Sequence, residues 1–198
     1  AYITEGVRPS TWRAADPGRW IAEKEWPSKR IKPRVLHLSL DRTLDKKARG
    51  DGTLSIRSPQ DTGTGAGEWF TLKPDGELAG DQRGDDAGSI CFETATLPEP
   101  LEILGRPVLK LSAAIDAPTG NLIARLVDVH PDGVATRVSF GMLNLAHRGG
   151  NAHPEPMAPG KAEPIEIRLD ECGHRFRAGH RLRLAISTAE GLRPEIGR

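Results

Sequence analysis

The 198-residue sequence lacks any run near the roughly 20 consecutive apolar residues that a membrane span needs. Its first residues, Ala1-Tyr2-Ile3-Thr4-Glu5-Gly6, lack the basic start and apolar stretch of a secretory signal. An excess of one charge is also missing. Twenty-eight basic groups stand against 27 acidic ones, so no overall field steers the chain toward nucleic acid or an anionic membrane. Only two cysteines occur, Cys91 and Cys172, too few for a disulfide scaffold. They are read as free thiols of a cytoplasmic protein. The sequence opens without an initiator methionine, which reads as a fragment or a processed product.

Signatures of chemistry are equally scarce. A Gly-x-Ser-x-Gly pentapeptide, which would present a serine on a sharp turn, is absent. Cys172 and His174, with Asp170 and Glu171 beside them and His153 upstream, lack metal-ligand spacing and read as a solvated turn. Gly63-Thr64-Gly65-Ala66-Gly67 lacks the Lys-Ser/Thr ending of a phosphate loop and reads as a flexible loop. Two Arg-Gly-Asp tripeptides, at 49–51 and 83–85, are attributed to chance. Asp128 and Asp132 flank a turn, where carboxylates bond backbone amides. His180 follows Gly179 and reads as a histidine satisfying a buried backbone group, since no Ser or Asp is evidently placed to partner it. The expectation is that no hydroxyl or thiol is paired with a base. No catalytic, cofactor or metal residue is assigned.

What the sequence has is punctuation: 22 glycines and 16 prolines, suited to short strands joined by turns. Residues 1–33 hold Trp12, Trp20 and Trp26 in a polar, proline-containing stretch. They read as a strap docking its indoles on a larger body, with one weak helix candidate at Gly18–Glu25. Residues 34–198 read as the body. Alternation or apolar character marks strands at Val35–Leu40, Thr53–Arg57, Ser89–Thr94, Pro107–Ile115, Asn121–His130, Val134–Leu145, Pro164–Leu169 and Arg181–Thr188. Pro131-Asp132-Gly133 turns between two of them, and Pro59–Asp86 reads as a long loop interrupted around Trp69–Leu72. About eight strands at this spacing predict an all-β sandwich.

Several of these segments resemble one family. Leu126-Val127-Asp128-Val129-His130-Pro131-Asp132-Gly133 is similar to a hairpin of the C-terminal domain shared by X-Pro dipeptidyl-peptidases and cocaine-esterase-like (CocE/NonD) hydrolases. Gly141 to Arg148, Pro159-Gly160-Lys161 and Phe176-Arg177-Ala178-Gly179-His180-Arg181-Leu182-Arg183-Leu184 resemble its later strands and turns, and Trp26-Pro27 fits its opening. Asn144 stands where an arginine is usual. The resemblance implies a jelly-roll-like, galactose-binding-like β-sandwich packed on an α/β-hydrolase domain that holds the catalytic triad. Asp128, Pro131, Asp132, Gly133, Gly179, His180 and Arg181 then carry the structural motif. The implied partner is that catalytic domain, a homo-oligomer is left open, and neither nucleic acid nor membrane is expected. The alternative is a carbohydrate- or ligand-binding jelly-roll module.

Overall fold

The structure is a computed structural model that describes residues 1–68 and 76–189. The segment around Trp69–Leu72 and the tail from Glu190 lie outside the described residues. In chain order the strands are β1 (Tyr2–Glu5), β2 (Gly18–Trp20), β3 (His37–Leu38), β4 (Leu44–Asp45), β5 (Ile90–Glu93), β6 (Leu101–Gly105), β7 (Val108–Ala113), β8 (Asn121–Val129), β9 (Ala135–Asn144), β10 (Glu163–Arg168), β11 (Cys172–Phe176) and β12 (Arg181–Ser187).

Two layers enclose the core. One is the antiparallel sheet β5-β12-β8-β9. The other is β2-β1-β11-β6, in which β1 runs parallel to β11. The antiparallel pair β7 and β10 forms a separate two-stranded sheet, connected to that layer where β6 leads into β7 across Arg106-Pro107 and β10 into β11 across 169–171. Strand alternation explains which side chains meet. Ala124 and Leu126 of β8 lie across from Ile186 and Leu184 of β12, and with Leu122 and Leu182 they are buried in one cluster with Ile90, Phe92, Ile165, Ile167 and Phe176. Each such aliphatic side chain contributes about 1.5–3 kcal/mol by leaving water. The chain is thus a nearly all-β sandwich.

The opposite face of the β8–β12 sheet is covered as well, which is why all of β8 after Asn121 is buried. The cover is the segment read from sequence as a loose loop. It contains a 3-10 turn at Thr64–Ala66 and a one-turn helix, α1 (Arg83–Ala87). Two glycine amides of the supposed flexible loop, Gly63 and Gly65, donate to Asp85 at 2.8 and 3.1 Å. Arg125, with no exposed surface, donates to Gln82 Oε1 at 2.9 Å and Ser89 Oγ at 2.8 Å, with Asp86 at 3.3 Å and Asp85 at 3.7 Å. Arg183 joins Asp86 to Glu93. Burial holds the Asp86 carboxyl above its usual range, against the pull of Arg125 and Arg183. Charges on the sheet, not an apolar pattern, fix this segment, so periodicity alone does not reveal it. The second Arg-Gly-Asp tripeptide, attributed to chance, has its Asp85 buried in this network and unavailable as an exposed recognition group.

Other local readings also change. Gly18–Glu25 forms no helix; its first three residues are edge strand β2, recruited by pairing with β1. Val35–Leu40 shrinks to the two-residue β3, and Thr53–Arg57 forms no strand. Both segments pack apolar side chains against the core, Leu36 and Leu38 from one and Leu54 and Ile56 from the other, but among the described residues neither finds a neighbour that would extend it as a ladder.

Candidate functional site

The segments that resemble the family hairpin converge at one end of the sandwich. His130 N donates to Val134 O at 2.8 Å and Gly133 N to His130 O at 2.9 Å, closing the Pro131-Asp132-Gly133 turn with Gly133 at φ 86°. That left-handed value favours glycine. Gly179, at φ 85°, makes the second turn, and a Cβ there would lie 3.6 Å from Pro131 Cγ. The two turns therefore abut. A register shift between Leu126 and Val127 sets Thr136 opposite Asp128.

Between the layers these turns assemble a buried polar cluster around Asp128, which has no exposed surface. His180 Nδ1 donates to Asp128 Oδ1 at 2.7 Å, and His174 Nε2 to Oδ2 at 3.1 Å. His130 packs against His180 with ring centroids 4.5 Å apart. Its Nε2 sits 3.2 Å from both Val7 O and Thr136 Oγ1, while Thr136 donates to Val7 O at 2.7 Å. Burial, the largest cause, together with the neighbouring His180, pushes the His130 pKa below its ordinary value, and Asp128 opposes the shift. Outside the cluster, Arg8 pairs with Asp132 and holds that carboxyl below its usual range. Arg181 pairs with Glu93 at 2.9 Å.

The expected partners of two residues need correction. His180 does have an acid, Asp128, 52 positions away in sequence and brought close by the β8–β12 pairing. Asp128 bonds two imidazoles and not backbone amides: it is fully buried, with His174 and His180 as its hydrogen-bond partners. Asp132 behaves as read, accepting from Val134 N at 3.3 Å. His174 is no part of a solvated turn; it lies on β11 and is buried.

Thr4 completes a series that sequence reading missed. Its Oγ1 lies 2.9 Å from His174 Nδ1, and His174 in turn reaches Asp128. A hydroxyl, an imidazole and a carboxylate in series is the arrangement that activates a nucleophile, contrary to the expectation that no hydroxyl meets a base. Here the hydroxyl also lies 3.0 Å from Gly173 O, and His174 and Asp128 are enclosed between strands. The one hydroxyl proton of Thr4 goes either to His174 Nδ1 or to Gly173 O; when it goes to Gly173 O, the contact with Nδ1 is a hydrogen bond only if Nδ1 itself carries a hydrogen. One sequence signal could have exposed the cluster: a carboxylate inside the apolar run Leu126 to Val129 demands buried donors.

Asp128, His130 and His180 also offer ligand atoms within 4.8 Å of one another. Around zinc, atoms bound at about 2.0–2.1 Å in a tetrahedron stand about 3.3 Å apart. The 2.7 Å His180–Asp128 contact and the packed His130–His180 rings fit a hydrogen-bonded cluster better than a coordination shell.

What the cluster grips is residues 4–8. Thr4, Gly6 and Val7 all touch it, and Gly6 N donates to Arg175 O at 3.1 Å. Beyond this clamp the tryptophans of the opening segment stand largely exposed: Trp12 by 61%, Trp20 by 80% and Trp26 by 64%.

Comparison with known proteins gives this arrangement a class. The sequence profile of the X-Pro dipeptidyl-peptidase C-terminal non-catalytic domain matches residues 5–193. The chain belongs to that family. It is 25% identical over 194 residues to a Mycobacterium tuberculosis protein named as a serine esterase, covering 87% of this chain and 31% of that protein. It is 27% identical over 100 residues to the cocaine esterase of a Rhodococcus species, covering 50% and 17% respectively. The chain therefore spans a third or less of these relatives. Among solved structures, an α-amino acid ester hydrolase shares its fold at a TM-score of 0.67 and 21% identity, over 78% of this chain and 28% of that one. An aminopeptidase from a marine sediment archaeon, a thaumarchaeon, does so at 0.69 and 20%, over 92% and 33%. In these larger hydrolase chains the matching region forms one part of a longer polypeptide.

Proposed function

We propose that the chain is the accessory C-terminal domain of an α/β-hydrolase-type serine hydrolase, an acyl esterase or X-Pro dipeptidyl-peptidase. It packs on the catalytic domain, forms a wall of the substrate entrance and has no turnover of its own. Residues 1–33 are the strap leading in from the catalytic domain, and 34–198 the sandwich. The motif residues Asp128, Pro131, Asp132, Gly133, Gly179, His180 and Arg181 serve structure, and the working compartment is the cytoplasm. One observation carries the reading: nearly the whole chain matches a domain described as non-catalytic and C-terminal, while it covers less than a third of its relatives. The buried clamp on residues 4–8 supports it, since it fastens the segment through which such a catalytic domain would connect.

The test is to assay the purified chain with aryl esters and an X-Pro anilide, and to treat it with a fluorophosphonate probe. No turnover and no labelled residue are expected. Hydrolysis lost in Thr4→Val, through the Thr4–His174–Asp128 series, would reverse the assignment.

A further inference from the structure

The most exposed aromatic among the described residues, Trp20, stands beside the first strand. Trp20 closes edge strand β2, whose second edge is unpaired among the described residues. It packs on Tyr2 with ring centroids 5.2 Å apart, yet remains 80% exposed. Next to it, Ala1, Tyr2, Trp26, Leu104, Cys172 and Gly173 line a shallow groove of about 340 Å³. Trp26 forms its wall and is itself 64% exposed. A monomer rarely leaves an edge-strand indole and a groove-wall indole this exposed on either side of one tyrosine; such a patch marks a contact surface.

Ala1 is fixed at this place. Its amino group donates to Ile21 O at 2.9 Å, and Ile21 N donates to Ala1 O at 2.8 Å. The family match begins at residue 5, so in a polypeptide where this domain is C-terminal the preceding chain enters at this end of the sandwich, beside the groove that Ala1 and Tyr2 line. The other exposed large apolar residues, Val35, Leu40, Val108 and Met142, do not line the groove, nor does Trp12; Trp20 reaches it only through its packing on Tyr2.

We infer that the groove lined by Tyr2 and Trp26, with Trp20 beside it on Tyr2, is the seat of the catalytic domain of the same polypeptide. An apolar projection of that domain fills the groove and covers both indoles. The inference rests on the accessory-domain reading and specifies its contact face. The strap then acts twice: residues 4–8 are clamped to the sandwich, and Trp20 and Trp26 face outward to receive the neighbour.

Hydroxyl-radical footprinting tests this on the polypeptide that carries the chain behind its catalytic domain, beside the 198-residue chain alone. The expected result is that Trp20 and Trp26 oxidise several-fold more slowly in the joined polypeptide. Trp20→Glu, at an exposed position, is expected to leave the isolated chain folded but to quicken proteolysis between the domains of the joined one. Equal oxidation in both samples, with an upstream serine labelled by fluorophosphonate, overturns the seat and leaves the accessory-domain reading standing. Protection in the isolated chain that grows with its concentration assigns the groove to a second copy and also overturns the proposal. If no upstream serine is labelled, the reading beneath falls, and the proposal with it.

Discussion

Gly6 passes Asp128 so closely that a Cβ on it would lie 2.5 Å from Asp128 Oδ2 and 3.3 Å from Arg175 O. Even alanine must push β1 off β11 or displace the buried carboxylate. Gly6→Ala is expected to cost about 1–3 kcal/mol, the range for overpacking a filled interior. Urea unfolding of the purified chain measures it, and an unchanged midpoint would mean the strap is not clamped at Asp128.

Removing the acceptor itself should cost more. Asp128→Ala leaves the His174 and His180 donors in a dry site, a loss of about 3–5 kcal/mol if the imidazoles carry charge and about 1–3 kcal/mol for each stranded neutral donor. Asp128→Asn keeps the shape but turns an NH2 toward one imidazole, so it should fall between wild type and alanine. Thermal unfolding orders the three proteins.

Acid should loosen the same end of the sandwich. The folded-state pKa of His130 lies below its ordinary 6.5, because burial and His180 outweigh Asp128. The unfolded chain therefore takes up the proton first. The stability contribution is complete above about pH 6.5 and is lost as the pH falls through that value toward the folded-state pKa. The charges facing this ring are Asp128, His180 and Arg8. Replacing His130 by Asn should flatten the stability profile between pH 7 and pH 5, as followed by denaturant midpoints.

The thiols should be slow to react. Cys91 and Cys172 lie on different layers, both half-buried, and burial pushes each pKa up to about 11. Little thiolate exists at neutral pH. Alkylation by iodoacetamide of the folded chain is expected to run well below the rate for the denatured chain, and adding reductant should leave the melting temperature unchanged.

Arg125 tests the cover over the second sheet face. Arg125→Ala leaves Asp85 and Asp86 without their buried cation and should cost about 3–5 kcal/mol. Hydrogen exchange is expected to quicken first in the 61–66 turn and α1, which this network anchors.

Legibility in the sequence followed the source of each structural constraint. The strands β8, β9 and β12 were readable because their own side chains alternate or run apolar between clear turns, and the Pro-Asp-Gly turn announced its glycine. The short strands β1, β2, β4, β6 and β11 were not, since partners distant in the chain create them. The site divided the same way. Asp128 and His180 were singled out as motif residues, yet their bond was not visible, because it depends on the β8–β12 register. Thr4 and His174 carried no local signal at all; a pairing across 170 positions joins them. The Arg125 network was hidden because its acids sit in a glycine-rich stretch that periodicity treats as unstructured.

The parallel register of Thr4 with His174 and Glu5 with Arg175 sets a timetable for synthesis on the ribosome. At about 5–20 residues per second, β1 emerges on the order of ten seconds before the strand that completes its ladder exists. During that interval Ile3, which ends with no exposed surface, has nowhere native to go. The nascent strand must be sheltered or left waiting, so this domain cannot begin locking from its leading end. Its last strands, β11 and β12, are the ones that close the whole.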